Sequence, residues 1–353
     1  RAKVFLYAAS PLANGNTEMA DFTNMDGKKL IPQEYKEEKW AIAAAAAKDM
    51  IDYAEATGLY KLYTFEKRSV SMDEAYPPTI EPPYHKEYSN LPFPNGWANI
   101  DPFESYRSIF NGDVYAAENP ELIFSRIANG KNNGLGSDFS MVNLVKHQLP
   151  KTLGGYNCHG VTLKQCEAYD MADGRPFDKK YYEEYYGKYT DESNHKYDHL
   201  RNDVWLGYAD REPRFYANVV YQGRSWFKNW MDGNPNYVVD FSAGGGNDLS
   251  NGDNVKTGYM LGKFKNRTVN HANGYTQAWK RVSIIYRMAE FYLFYAEALN
   301  EIDPSNPEII KYVDMIRHRA GINGYQDLQE SGMKTGVIGN YDRQFEAIQH
   351  ERY

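Results

Sequence analysis

The sequence is short of three things. Cysteine is nearly absent: Cys158 and Cys166 are the only two in 353 residues. Their spacing permits a disulfide without requiring one, and it does not match the paired-cysteine pattern of a zinc site. Long apolar runs are missing too. No stretch approaches the roughly 18 apolar residues of a membrane helix, so no part of this sequence is expected to cross a bilayer in that form. Nor is there an excess of basic charge. Forty Lys and Arg stand against 47 Asp and Glu, a net −7, which argues against a dedicated nucleic-acid binder with a basic face.

What is present excludes other classes. With 42% hydrophobic and 25% charged residues, the chain is neither disordered throughout nor collagen-like. Its length admits one large domain or two ordinary ones. The unusual feature is tyrosine: 31 Tyr against 16 Phe and 6 Trp. A tyrosine ring buries well while its hydroxyl seeks a polar partner. The excess fits either a wet, loop-rich surface that binds a hydroxyl-rich ligand or long loops tacked down by tyrosines. The ends, RAKVFLYAASPL and FEAIQHERY, both lie inside helix-like patterns, with no signal sequence and no lipid-attachment cysteine. They predict the interior of a longer protein.

Three blocks follow from the patterning. Residues 1–62 read as a helical repeat segment. One helix stops at Ser10-Pro11, and an alanine-rich helix is predicted from Glu34 to about Thr57, with Gly58 as its cap. The small residues Ala41 and Ala43 to Ala47 admit a close helix neighbour, as in a tetratricopeptide hairpin. Residues 63–278 are loop-rich, broken by Pro77-Pro78, Pro82-Pro83, Pro92, Pro94 and the run Gly244 to Gly246, with short strands predicted at Phe215–Tyr221 and Tyr237–Phe241. Residues 279–353 return to helix. Met288, Phe291, Tyr295 and Leu299 form one stripe, Asp303-Pro304 ends it, and a second helix starts at Pro307 and runs to Gly321. Arg317 and Arg319 in its last turn suit the negative helix end. The fold class is therefore mostly α: a tetratricopeptide-like superhelix of helical hairpins carrying a long loop-rich subdomain with few short strands.

No catalytic constellation stands out. Acid pairs such as Glu183/Glu184 and Asp191/Glu192 read most simply as solvated. His195 and His199 have helical ligand spacing but lack a neighbouring zinc-protease glutamate. Sugar binding calls for aromatics on loops beside polar side chains, because a ring's C–H face stacks while its hydroxyls need partners. Three segments show that pattern. One carries Trp97, Asn99 and Tyr106. A second, residues 179–189, includes Tyr182, Tyr185 and Tyr186. The third carries Tyr221, Gln222, Arg224, Trp226, Asn229 and Trp230. Loop packing is the alternative reading for each. Trp40 and Trp279 read as core. No organic cofactor is implied, while Asn247, Asp248, Asn251, Asp253 and Asn254 crowd oxygens into a glycine-rich loop that suits calcium or a plain turn.

Several segments together resemble the SusD/RagB family of outer-membrane nutrient-binding lipoproteins of Bacteroidetes-type bacteria. They are AKVFLYAASPL with WAIAAAAAKDMIDY, YDMADGRPFD, DREPRFYANVVYQG, TGYMLGKF, RMAEFYLFYAEALNE and IRHRAGI. Their order and spacing carry the likeness. Glu212 stands where the family usually has Asp. The resemblance implies capture of a glycan without hydrolysis, surface localisation through a lipid anchor, and delivery to a SusC-like TonB-dependent transporter. Peptide capture within the same family and an all-helical glycoside hydrolase are the alternatives. Because Trp226 and Trp230 follow a segment that the family places near its ligand face, they are expected, with Arg224, Asn229 and the tyrosine run, to form an exposed platform. Arg214 and Lys263 are expected to pair with buried carboxylates.

Overall fold

The computed structural model describes residues 1–69, 79, 90–126, 145–194, 200–226, 237–248, 252–266 and 281–352. The helices are α1 (Ala2–Ala9), α2 (Glu38–Thr57), α3 (Pro102–Asn111), α4 (Leu163–Ala168), α5 (Tyr181–Glu184), α6 (Pro213–Asn218), α7 (Met288–Ile302), α8 (Glu308–Arg319), α9 (Tyr325–Glu330) and α10 (Tyr341–Arg352). Among the described residues, strands are few and short, and no sheet closes. The chain divides into two compact units. One contains Arg1–Leu62, Tyr286–Ile316 and Gly324–Tyr353, the other Tyr63–Ile285 and Arg317–Asn323.

The first unit is helix on helix. In α2 the side chains of Trp40, Ala43, Ala44, Ala46, Ala47, Ile51 and Ala54 are buried, and the small ones let α1 and α7 approach closely. Gly58 closes the helix at φ 66°, a left-handed geometry that costs glycine little. The helix starts at Glu38 rather than Glu34, for a local reason. Buried Asn14 accepts from the Lys36 N–H (2.9 Å) and donates to the Lys36 carbonyl (3.0 Å). That fixes the Lys36 N–H outside the helix, while its carbonyl also accepts from Lys39 N–H (3.3 Å) in the turn that leads into α2. In α7 the predicted stripe is buried at Met288, Tyr295 and Leu299, while Phe291 is half-buried. Tyr292 stacks on Tyr312 at 5.0 Å, the Tyr295 hydroxyl donates to Glu308 (2.7 Å), and Glu297 pairs with Arg352.

The second unit is loop-rich around an aromatic core. Helix α3 packs against α6, and α6 corrects the sequence reading. The segment Phe215–Tyr221 was expected to be a strand, but residues 213–218 are helical and only Val219–Val220 is extended. Every residue of α6 is buried, so the segment lacks the alternation that separates the two periods. Pro213 at its first position and extended Glu212 (ψ 154°) fix a helix start. Val219 and Val220 pair antiparallel with Leu261 and Met260. In the second predicted strand, the described pairing is a single bridge, Val238 to Ser225.

Buried ion pairs lock this unit. Arg317 meets Asp170 at 3.0 Å and Arg319 meets Glu121 at 2.7 Å, so both arginines are core members as well as helix-end cations. Arg214 pairs with buried Glu212, as expected. Lys263 does not meet its expected carboxylate. Its ammonium lies over the rings of Phe110 (4.0 Å) and Tyr106 (5.4 Å), where ring faces offset its charge.

Candidate functional site

The tyrosine run is the predicted aromatic segment that stays accessible in the described residues. The short helix α5 is capped by Tyr185, and Gly187 (φ 67°) turns the chain back. Tyr189 then bridges Trp205, and Leu206 N–H donates to the Lys188 carbonyl (3.0 Å). This return brings Trp205 against the run. Its indole Nε1 donates to the Tyr185 carbonyl (3.0 Å), and its ring stacks on Tyr182 at 5.5 Å with planes 6° apart. Gly207 makes space for that ring, since a Cβ there would lie 2.2 Å from the indole.

Around this stack the aromatics continue. Tyr181 and Tyr185 stack at 5.2 Å, and Phe177 meets Tyr181 and Tyr182 edge-on at 5.5 and 5.6 Å. The Arg211 guanidinium lies 4.2 Å over Phe177 and 4.4 Å over Phe215, held by the carbonyls of Cys166 and Tyr169. Phe177, Tyr181, Tyr182, Tyr185 and Trp205 are half-buried, whereas Tyr186 is 86% exposed and Tyr189 is 59% exposed. Burial, then the charge of Glu167, raises the pKa of Tyr182, and burial followed by Glu184 raises that of Tyr185. Both hydroxyls are therefore neutral donors at physiological pH. Carboxylates and cations stand alongside, including Glu167 with Lys179 (3.6 Å) and Asp173 with Arg175 (2.6 Å). Flat rings beside hydrogen-bonding side chains can hold a molecule that is apolar on its face and polar at its rim.

Other expected members are placed differently. Trp226 is only 3% exposed and belongs to the aromatic core, and Arg224 is fully buried with its guanidinium on the Val219 carbonyl. Burial pushes the Arg224 pKa down to about 10. Trp97 is 1% exposed, with its ring 6.5 Å from His318. None of the three offers a free face, so the exposed platform is corrected at these positions. The polar neighbours are also engaged: Gln222 bridges Asp240 and the Phe241 N–H, and Asn99 accepts from the Phe93 N–H. Trp230, Asn229, Trp279, His195 and His199 lie outside the described residues. Trp40 is core, as expected.

In the glycine-rich loop, Asn247 accepts from Lys151 N–H and donates to the Tyr237 hydroxyl, while Asp248 accepts from Gly244 N–H (2.7 Å). Those bonds serve the turn. Asp253 is exposed, and Asn251 lies outside the described residues. Cys158 is exposed and Cys166 is buried, both as free thiols, and burial pushes the Cys166 thiol up to about 12. Trp205 and Phe177 are the members that sequence reasoning missed. One of only six tryptophans standing within polar NDVWLGY was the available signal.

The SusD family profile matches residues 120–353, about two thirds of the sequence. The chain belongs to the SusD family. A search of curated protein sequences returns no match. Solved structures share the fold. The selenomethionine form of the protein BT4246 is 22% identical with a TM-score of 0.66, over 99% of this chain and 58% of that one. A SusD-like protein from Bacteroides fragilis is 20% identical with a TM-score of 0.55, over 99% and 55%. A SusD-like carbohydrate binding protein from the same organism is 17% identical with a TM-score of 0.50, over 99% and 53%. This SusD-family chain thus spans little more than half the length of these structures.

Proposed function

We propose that this SusD-family protein captures an oligosaccharide at the bacterial outer surface without cleaving it. It then passes the glycan to a SusC-like TonB-dependent transporter. The observation that carries the reading is the accessible cluster of Tyr181, Tyr182, Tyr185, Tyr186 and Trp205 on a chain of this family. Pyranose rings stack on such faces, and tyrosine and tryptophan lose little rotamer entropy in holding them. One solved relative in fold is itself a carbohydrate binding protein. No helix among the described residues is long and apolar enough to cross a membrane, so surface residence rests on the family's lipid anchor. The test is retention on affinity gels containing a panel of polysaccharides. Retardation on at least one, with no new reducing ends, is the expected result. Sugar release would replace the binding reading with a hydrolase.

A further inference from the structure

A second polar centre lies in the loop-rich unit, on residues that the aromatic cluster does not use. The Arg281 guanidinium sits 3.9 Å over the Phe264 ring. Stacking occupies its face and leaves its N–H groups for in-plane partners. Yet Nε and Nη1 are buried without a hydrogen-bond partner. Burial pushes its pKa down to about 10, and no carboxylate among the described residues offsets the charge. A buried guanidinium with unmet donors is costly, and folded proteins place one where something else completes it.

The surroundings share this character. Phe264 N–H donates to Gln148 Oε1 (3.1 Å), which leaves Gln148 Nε2 facing His159 Nδ1 at 3.3 Å. His159 Nε2 lies 3.2 Å from His147 Nδ1. The proton positions follow. Gln148 donates to Nδ1 of His159, so His159 carries its proton on Nε2 and donates it to His147, which is left with an Nε2–H of its own. Backbone bonds fix both rings: the His147 carbonyl accepts from the N–H groups of Cys158 and His159 (3.0 Å each), and the His159 carbonyl accepts from Leu261 N–H (2.8 Å). Both histidines are only half-buried. Two imidazole nitrogens 3.2 Å apart could flank a metal ion, but here a proton fills the gap and Gln148 holds it there. Burial, the His147 ring and the Arg281 charge together lower the His159 pKa, so the positive field of Arg281 reaches the pair.

We propose that Arg281, connected through Phe264 and Gln148 to the His159–His147 pair, is an oxyanion-binding site that takes a carboxylate or sulfate group. Such a group supplies acceptor oxygens to the two unpartnered guanidinium donors and neutralises the buried charge. The site stands apart from the glycan reading, because a simple anion tests it. Sodium sulfate, sodium glucuronate and neutral glucose are titrated into the purified protein in chloride buffer. Heat and the imidazole NMR signals of His159 and His147 are followed.

Saturable binding of sulfate or glucuronate in the millimolar range, with matching imidazole shifts, is expected. Arg281→Met should weaken it by roughly tenfold or more. Glucuronate binding more tightly than both sulfate and glucose identifies the anion as a substituent of a sugar. Equal binding of sulfate and glucuronate identifies a free-anion site. The proposal is overturned if the wild-type protein shows no saturable anion binding, or if Arg281→Met binds undiminished. Should Arg281→Met fail to fold, Arg281→Lys, which keeps charge but loses the planar fork, should bind more weakly. Unmoved imidazole signals in the wild type then still overturn it.

Discussion

Tyr182 and Trp205 lie face to face, and the indole is further tied to the Tyr185 carbonyl. A ring fixed in this way loses little freedom when a sugar stacks on its neighbours. Stacking of a planar ligand on an aromatic is worth on the order of 1–3 kcal/mol per ring, by analogy with bases on aromatic platforms. Trp205→Ala should therefore weaken glycan binding by roughly tenfold in calorimetry, with far-UV circular dichroism unchanged. Unaltered affinity would move the site away from this cluster. Trp226→Ala should behave in the opposite way. Its ring is buried, so the variant should lose about 3–5 kcal/mol in denaturant unfolding while its folded fraction binds normally. Part of the tyrosine excess is explained inside the fold. The Tyr216 hydroxyl donates to the Tyr208 carbonyl, Asn218 donates to both Tyr106 and Tyr169, and Tyr237 donates to Thr152. Composition revealed the excess, but only burial separates these loop tacks from the accessible run at 181–189.

Among the elements, the long helices were legible and the short ones were not. Helices α2 and α7 follow from alanine content, a stripe and their terminators, all local signals. Helix α6 is buried on every side and so carries no periodic signal, and its strand-like composition misled. The Trp205–Tyr182 contact joins segments more than 20 residues apart through a turn at Gly187, which no spacing rule anticipates. The start of α2 was also misplaced, because it depends on Asn14, 22 residues upstream of Lys36. Asn14→Ala should leave the Lys36 N–H without its side-chain partner and cost about 1 kcal/mol. A thermal midpoint equal to that of the wild type would show that the contact is dispensable.

At the scale of the whole molecule, one buried histidine links stability to acidity. His318 lies at the end of α8, and its Nδ1–H donates to the Pro94 carbonyl (2.8 Å). Burial lowers its pKa from 6.5 to about 4; the Pro94 bond opposes that shift and the Arg317 charge adds to it. Between those values the unfolded chain takes up a proton that the folded chain refuses. The neutral ring's contribution is complete above about pH 6.5 and is lost as pH falls toward 4, on the order of 3 kcal/mol. His318→Gln should flatten the stability profile over that window, and an unchanged profile would assign the acid sensitivity elsewhere. The acidic net charge of −7 makes a second prediction at this scale. A transporter complex should rest on a large mixed interface and persist in high salt; loss of co-purification on modest salt addition would contradict it.

The placement of the tryptophans has a spectroscopic consequence. Trp40, Trp97 and Trp226 are sealed from solvent, whereas Trp205 is half-buried beside the accessible tyrosines. Indole emission shifts with the polarity of its surroundings, and collisional quenchers reach only exposed rings. The difference between wild type and Trp205→Phe isolates the emission of one residue within the proposed binding cluster. A glycan stacking there should shift that difference spectrum to the blue and shield it from iodide. The protein thus carries its own optical reporter of occupancy, with no label attached.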